Sequence, residues 1–215
     1  AATKNYVDTE ISSVASSGIV RLGSYSLSSK ANNFEISGWY DSQYDAYEFE
    51  CYNFCSDDDT GGTPILMQLA DSAGTYQTAN TDVDVYWTVT ELDATSTTEG
   101  GQLYTATMGM AVPQTDDDTT ALYRHNFKLW LPNNRPGFTD NKMVISEGYG
   151  YVMATSYGGG TNGLSAYRCC NMYMADTGVI TKIKFRATDN ITDTSGWSGD
   201  IGAGARVIVY GRKFN

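Results

Sequence analysis

The only histidine of the chain, His125, lies in Tyr123-Arg124-His125-Asn126-Phe127-Lys128, and any Ser/His/Asp relay would have to use it. No Gly-x-Ser-x-Gly turn accompanies it, so His125 reads as a structural or surface histidine. Glu35, Glu48, Glu50, Glu91, Glu99 and Glu147 could supply the carboxylate pair of glycoside hydrolysis, but such pairs form in space and the sequence selects no two. They read as acids on exposed strand faces. Asp57 to Asp59 and Asp116 to Asp118 offer hard oxygen ligands without the Asp-x-Asp-x-Asp-Gly spacing of a calcium loop. Solvated turns are the expectation there, and the question of a metal stays open. Gly158 to Gly163 lacks the Gly-Lys-Ser/Thr ending of a phosphate cradle and reads as a loop. No catalytic residue and no cofactor is expected.

Cys51 and Cys55 on one strand would sit roughly 13 Å apart, too far to bridge, and Cys169-Cys170 are adjacent. Neither pair has Cys-x-x-Cys spacing, so buried free thiols are expected. Aromatic side chains are the better lead: 16 Tyr and 4 Trp exceed what one core requires. Tyr149, Tyr151 and Tyr157 flank the glycine-rich stretch, Tyr167 and Tyr173 follow it, and Trp197 lies in a second Gly/Ser loop. Such rings give rigid, amphipathic contact surface of the kind used by paratopes and sugar-stacking sites, which makes these five tyrosines the candidate contact residues; packing over sheet edges and between chains is the alternative.

The elements that must position these groups are almost all strands. Val83, Val85, Trp87 and Val89 alternate with polar residues, as do Tyr47, Phe49 and Cys51, Phe127, Leu129 and Leu131, and Ile183 and Phe185. Further runs at Val20 to Tyr25, Ile65 to Leu69, Gln102 to Met110, Met143 to Ile145, Tyr149 to Thr155 and Ala205 to Gly211 bring the total to about ten. Short strands with Gly- and Asp-rich loops between them predict an all-β, antiparallel two-sheet sandwich with jelly-roll-like topology over residues 19–215. Residues 1–18 form an arm: Thr3 caps a helix, Gly18 stops it, and Val7, Ile11 and Val14 lie on one seam. A helix this short is marginal alone, so that seam packs either on its own domain or on copies of itself.

Charge narrows the partners. Fourteen basic residues against 25 acidic ones give −11, which leaves no basic face for a nucleic-acid backbone. No stretch approaches the apolar length of a membrane span, and Ala1-Ala2-Thr3-Lys4 lacks the core of a signal peptide, so a soluble chain is expected.

The segment Ala2-Thr3-Lys4-Asn5-Tyr6-Val7-Asp8 resembles the Ala-Thr-Lys-x-Tyr-Val-Asp segment of bacteriophage tail-fibre proteins. Tyr44-Asp45-Ala46-Tyr47-Glu48-Phe49, Gly178 to Phe185, and Ile201 to Lys213 with its closing Tyr210-Gly211 are similar to β-sandwich modules of phage tail fibres and virion appendages. The resemblance implies a non-enzymatic virion protein, assembled in the host bacterial cytoplasm, homotrimeric, bound to other virion proteins, and exposed on the particle where Tyr149, Tyr151, Tyr157, Tyr167 and Tyr173 would meet a host-surface glycan or protein. It is expected on a tail fibre or short appendage, with a capsid-attached fibre or decoration protein as the alternative. A freestanding carbohydrate-binding module and a glycan-degrading enzyme are the readings from other classes.

Overall fold

The computed structural model describes residues 18–57, 63–76, 83–91, 97–106, 108–115, 124–137, 141–152, 163–173, 178–188 and 199–214. Fourteen strands run through them: β1 (Ile19–Ser26), β2 (Phe34–Ser37), β3 (Ala46–Phe54), β4 (Ser56–Asp57), β5 (Thr63–Ala70), β6 (Val83–Glu91), β7 (Thr97–Ala106), β8 (Gly109–Thr115), β9 (His125–Leu131), β10 (Lys142–Val152), β11 (Gly163–Tyr173), β12 (Lys182–Ala187), β13 (Asp200–Ile201) and β14 (Arg206–Arg212). Among the described residues there is no helix. The expected helical arm, with Val7, Ile11 and Val14, lies outside them.

An eight-stranded antiparallel sheet runs β1-β14-β3-β9-β10-β11-β6-β7, and a four-stranded one runs β2-β12-β5-β8. A short β13-β4 pair stands apart. The connectivity has an internal logic. β1 pairs with β14, β2 with β12, β3 with β9, and β5 with β8, so the outgoing strands β1, β2, β3 and β5 are matched in reverse by the returning ones. Each outgoing step from β1 to β5 changes sheet. The hairpins β6-β7 and β10-β11 extend the large sheet beyond β9.

One apolar core lies between the sheets. Tyr47, Phe49, Phe127, Leu129, Val207 and Val209 of the large sheet meet Phe34, Ile36, Ile65, Met67 and Phe185 of the small one. The period-two strands explain why: on β3, β6 and β9 the apolar member of each pair is buried and its polar neighbour is not. β5 is buried along its whole length, matching its unbroken apolar run. Asn53, with φ 59°, bulges β3 between Cys51 and Phe54, and its N–H donates to Asn126 Oδ1 at 3.1 Å. The bulge turns Phe54 inward, where its ring lies 5.0 Å from Phe185 and 5.1 Å from Phe127.

Two sequence expectations change. Met143 to Ile145 and the run from Tyr149 are not separate strands; they belong to one strand, β10, continuous through Ser146-Glu147-Gly148. At Gly148 the absent side chain allows close packing, since a Cβ would stand 2.5 Å from Phe127 Cβ. The run Gln102 to Met110 divides between β7 and β8, which lie in different sheets.

Candidate functional site: the outer face of the large sheet

The buried side of β3, β9, β10 and β11 fixes what the opposite side presents. With Phe127, Leu129 and Leu131 inward, Asn126, Lys128 and Trp130 must point outward; with Cys169, Asn171 and Tyr173 inward, so must Arg168, Cys170 and Met172. Cross-strand register then lines up Glu50, Lys128, Glu147 and Arg168, one from each strand, in a row of alternating sign. A parallel row carries Glu48, Trp130, Ile145, Cys170 and Tyr86.

These charges are bonded to one another. Lys128 Nζ lies 2.8 Å from Glu48 Oε1 and 3.3 Å from Glu50 Oε1, and Arg168 Nε lies 3.0 Å from Glu147 Oε1. Arg212 donates to Glu48 through Nη2 and, at 3.2 Å, through Nε. The Tyr52 and Tyr210 hydroxyls donate to Glu50 Oε2 at 2.9 and 3.1 Å. The Arg212 guanidinium lies 5.2 Å from the Trp130 ring centre, and Phe214 meets the same ring edge-on at 6.4 Å.

Burial alone would raise the Glu48 carboxyl, but hydrogen bonds from Lys128 and Arg212 outweigh it and hold the group below its ordinary value. At Glu50 burial is likewise outweighed, by hydrogen bonds from Tyr52, Lys128 and Tyr210. Lys128 is raised, first by its hydrogen bond to Glu48. Both carboxylates are therefore anions at neutral pH. General-acid cleavage of a glycosidic bond needs a carboxyl that keeps its proton, and this pair provides none. The face offers instead fixed donors, fixed acceptors and rings. Two shallow grooves of about 500 and 510 Å³ cross it, the first beside Tyr52, Asn126 and Tyr149 and the second beside Trp130, Ile145 and Arg168, with Lys128 and Glu147 lining both.

Of the five tyrosines expected to make contact, Tyr149 is 57% exposed on this face. Tyr167 and Tyr173 are not surface residues: they are 4% and 0% exposed and point into the core. The reason is the alternation of β11, which sends its odd-numbered residues inward from Tyr167 to Tyr173. Tyr151 is on β10, with only its backbone described, and Tyr157 lies outside the described residues. No family model matches this chain, and no curated protein does either. The assignment of function therefore rests on the residues themselves.

His125 is fully buried, with its ring 5.7 Å from that of Tyr167 and Gly150 leaving the space it fills. It has no access to a solvent-borne substrate. None of the four cysteines is in a disulfide: Cys51, Cys55 and Cys169 are buried thiols, and Cys170 is a half-buried one. Among the described residues no three His, Cys, Asp or Glu side chains converge as metal ligands. Asp58, Asp59 and Asp116 to Asp118 lie outside the described set, as does Trp197. What the sequence reading missed is the row itself. Lys128 and Trp130 were visible as the polar partners of an alternating strand, but only register across four strands sets them beside Glu147 and Arg168.

Proposed function

We propose that the chain is a homo-oligomeric structural component of a bacteriophage particle, a tail fibre or short appendage, built on a jelly-roll sandwich that follows a helical arm at residues 1–18. The observation that carries this reading is that the segments bearing the virion-module resemblance pack together. Tyr47 of the Tyr44-to-Phe49 segment pairs with Gly211 of the closing segment, where β3 lies beside β14. The Tyr44 ring rests on Gly211, where a Cβ would come within 2.6 Å of it. That contact gives the closing Tyr-Gly pattern a physical reason, because a side chain at Gly211 would evict Tyr44. The third segment supplies β12, whose Phe185 enters the core opposite β3 and β9.

The reverse matching of β1, β2, β3 and β5 with β14, β12, β9 and β8 supports the jelly-roll part, since it is the order made when one long antiparallel ladder is rolled into two facing sheets. Jelly rolls recur in viral capsid and lectin domains, where they serve as rigid platforms. The paired carboxylates and the buried histidine support a structural role over a catalytic one. Tyr149, Tyr151 and Tyr157 are the retained candidates for host contact.

Antibodies raised against the purified chain should decorate intact particles at a regular position in negative-stain images. Unlabelled particles would remove the virion reading. An experimental structure in which β1 and β14 are not neighbours would remove the jelly-roll part.

A further inference from the structure

We infer that the outer face of the large sheet is a self-association surface, on which two copies of this chain stack face to face about a twofold axis running parallel to the strands between β9 and β10. The argument starts from where apolar surface is left uncovered. Tyr52, Tyr86, Met143, Tyr149 and Met172, five of the seven large apolar side chains exposed among the described residues, project from this one face. Met143 and Met172 pair directly across β10 and β11, and Ile145, Cys170 and Tyr86 follow in the next row. The result is a contiguous apolar strip beside the charged row.

Charge selects the occupant. The row reads Glu50, Lys128, Glu147, Arg168 across β3, β9, β10 and β11. A twofold axis parallel to the strands and central to the row reverses that order in the second copy. Glu50 then faces the second copy's Arg168, and Lys128 faces the second copy's Glu147, with both contacts repeated by symmetry. Every charge in the row meets its opposite. The same operation lays Trp130 on the second copy's Ile145 and Tyr149 on the second copy's Asn126. An isologous interface requires this self-complementarity, and an arbitrary charge row does not have it.

Two further quantities agree. The chain carries −11 overall, yet among the described side chains this face holds Arg21, Lys128, Arg168, Arg206 and Arg212 against Glu48, Glu50, Glu147 and Asp84, so copies can approach here without the repulsion that the overall charge would impose. Eight strands spaced at about 4.8 Å, the shortest of them seven residues long, give a face of at least roughly 900 Å², enough for the roughly 800 Å² per partner of a stable complex.

The test uses the full chain in sedimentation equilibrium. Lys128 and Glu147 are 61% and 58% exposed, so reversing either charge is compatible with the fold, which circular dichroism checks. Lys128→Glu and Glu147→Lys each place like charges opposite one another twice, and each should halve the assembly mass and weaken pairing by on the order of 100-fold. Mixing the two variants in equal amounts should restore the full mass, because in the mixed pair every altered site faces a residue of opposite sign. Trp130→Ala should weaken pairing with no rescue from either charge variant. Equal mass for the wild type and both variants would overturn the inference, as would variants that stay halved on mixing, or a wild-type monomer that binds an oligosaccharide on this face. This pairing goes beyond the appendage reading, which stands or falls separately except that the paired face covers Tyr149 and leaves host contact to the other tyrosines: labelling of particles tests that reading, and mass on mixing tests this one.

Discussion

The space between the sheets is filled in two different ways. Over β2 and β12, the strands β3 and β9 contribute rings: Phe54 stacks on Phe34 at 5.9 Å, Phe127 meets Phe185 at 6.3 Å, and Trp39 meets Tyr47 and Phe49 at 4.9 and 5.0 Å. Over β5 and β8, the hairpin β10-β11 contributes polar ties. Asn171 accepts from Met110 N–H at 2.6 Å and donates to Met110 C=O at 3.0 Å and Val144 C=O at 3.2 Å. Ser146 Oγ donates to Ala111 C=O at 2.5 Å, and Tyr173 OH to Met67 C=O at 3.1 Å. The difference follows from place. β8 ends the order of its sheet, so its backbone groups lack a strand on one side, and side chains from the opposite sheet supply the partners. Ring packing is non-directional and tolerates small shifts, whereas the asparagine clasp holds only at one register.

Deleting a ring should have the largest effect. Phe185 is fully buried and touches Phe34, Phe54 and Phe127, so Phe185→Ala should cost about 4 kcal/mol in urea unfolding, through lost burial and the cavity left. The loss should be global, with amides in β3 and β14 losing exchange protection along with the rest. A loss confined to β12 would mean that the two halves unfold separately.

Asn171→Leu should cost about 3 kcal/mol, because Met110 N–H and C=O lose their side-chain partner within a buried site. Its signature should differ in kind. Native-state hydrogen exchange should show β8 opening first while β3, β9 and β14 stay protected. If all strands lose protection equally, the clasp is not local and the distinction between the halves fails.

The same division explains what could be read from sequence. The aromatic half was legible because Tyr47, Phe49, Phe127 and Phe185 are apolar on alternate positions, and period two plus burial is enough to place them. The polar half was not. Ser146, Asn171 and Tyr173 occupy inward positions that an apolar template scores as outward, and their reason for being there is an edge strand far away in sequence. Tyr167 and Tyr173 were therefore assigned to a surface. The outer face was half legible: Glu48, Glu50 and Lys128 announced themselves as the exposed partners of alternating strands, while their ladder with Glu147 and Arg168 depends on the long-range order β3-β9-β10-β11. The resemblance named the closing Tyr-Gly pattern, but Tyr44 above Gly211 supplies its cause.

Alkaline titration should expose both halves at once. Burial pushes the hydroxyls of Tyr47 in one half and of Tyr167 and Tyr173 in the other far above their ordinary value of 10.0. A raised folded pKa means that the stability tied to the protonated form is intact below about pH 10. It drains as pH climbs above that toward the folded values, by about 1.4 kcal/mol per pH unit for each such group. Tyrosinate absorbance should accordingly rise in two stages, with these three rings titrating only as the fold is lost. A single stage completed before unfolding would show that they reach solvent in the native state.

The smallest effects should be opposite in sign. Tyr167 and Tyr173 point the same way from β11, six residues apart and both enclosed, but their hydroxyls differ: that of Tyr173 donates to Met67 C=O, and that of Tyr167 is buried with no hydrogen-bond partner among the described residues. Tyr173→Phe removes a bond that ties β11 to β5 and strands a buried carbonyl, and should cost about 1 kcal/mol. Tyr167→Phe removes a desolvated hydroxyl that gains nothing in return, and should be neutral or stabilising by up to about 1 kcal/mol. In a chain of this size the two melting temperatures should then part by about 2 to 8 °C, on opposite sides of the wild type or with Tyr167→Phe level with it. Equal destabilisation by both would mean that the Tyr167 hydroxyl is bonded in solution, and that the polar ties of the β10-β11 hairpin run further along β11 than Asn171 and Tyr173 mark out.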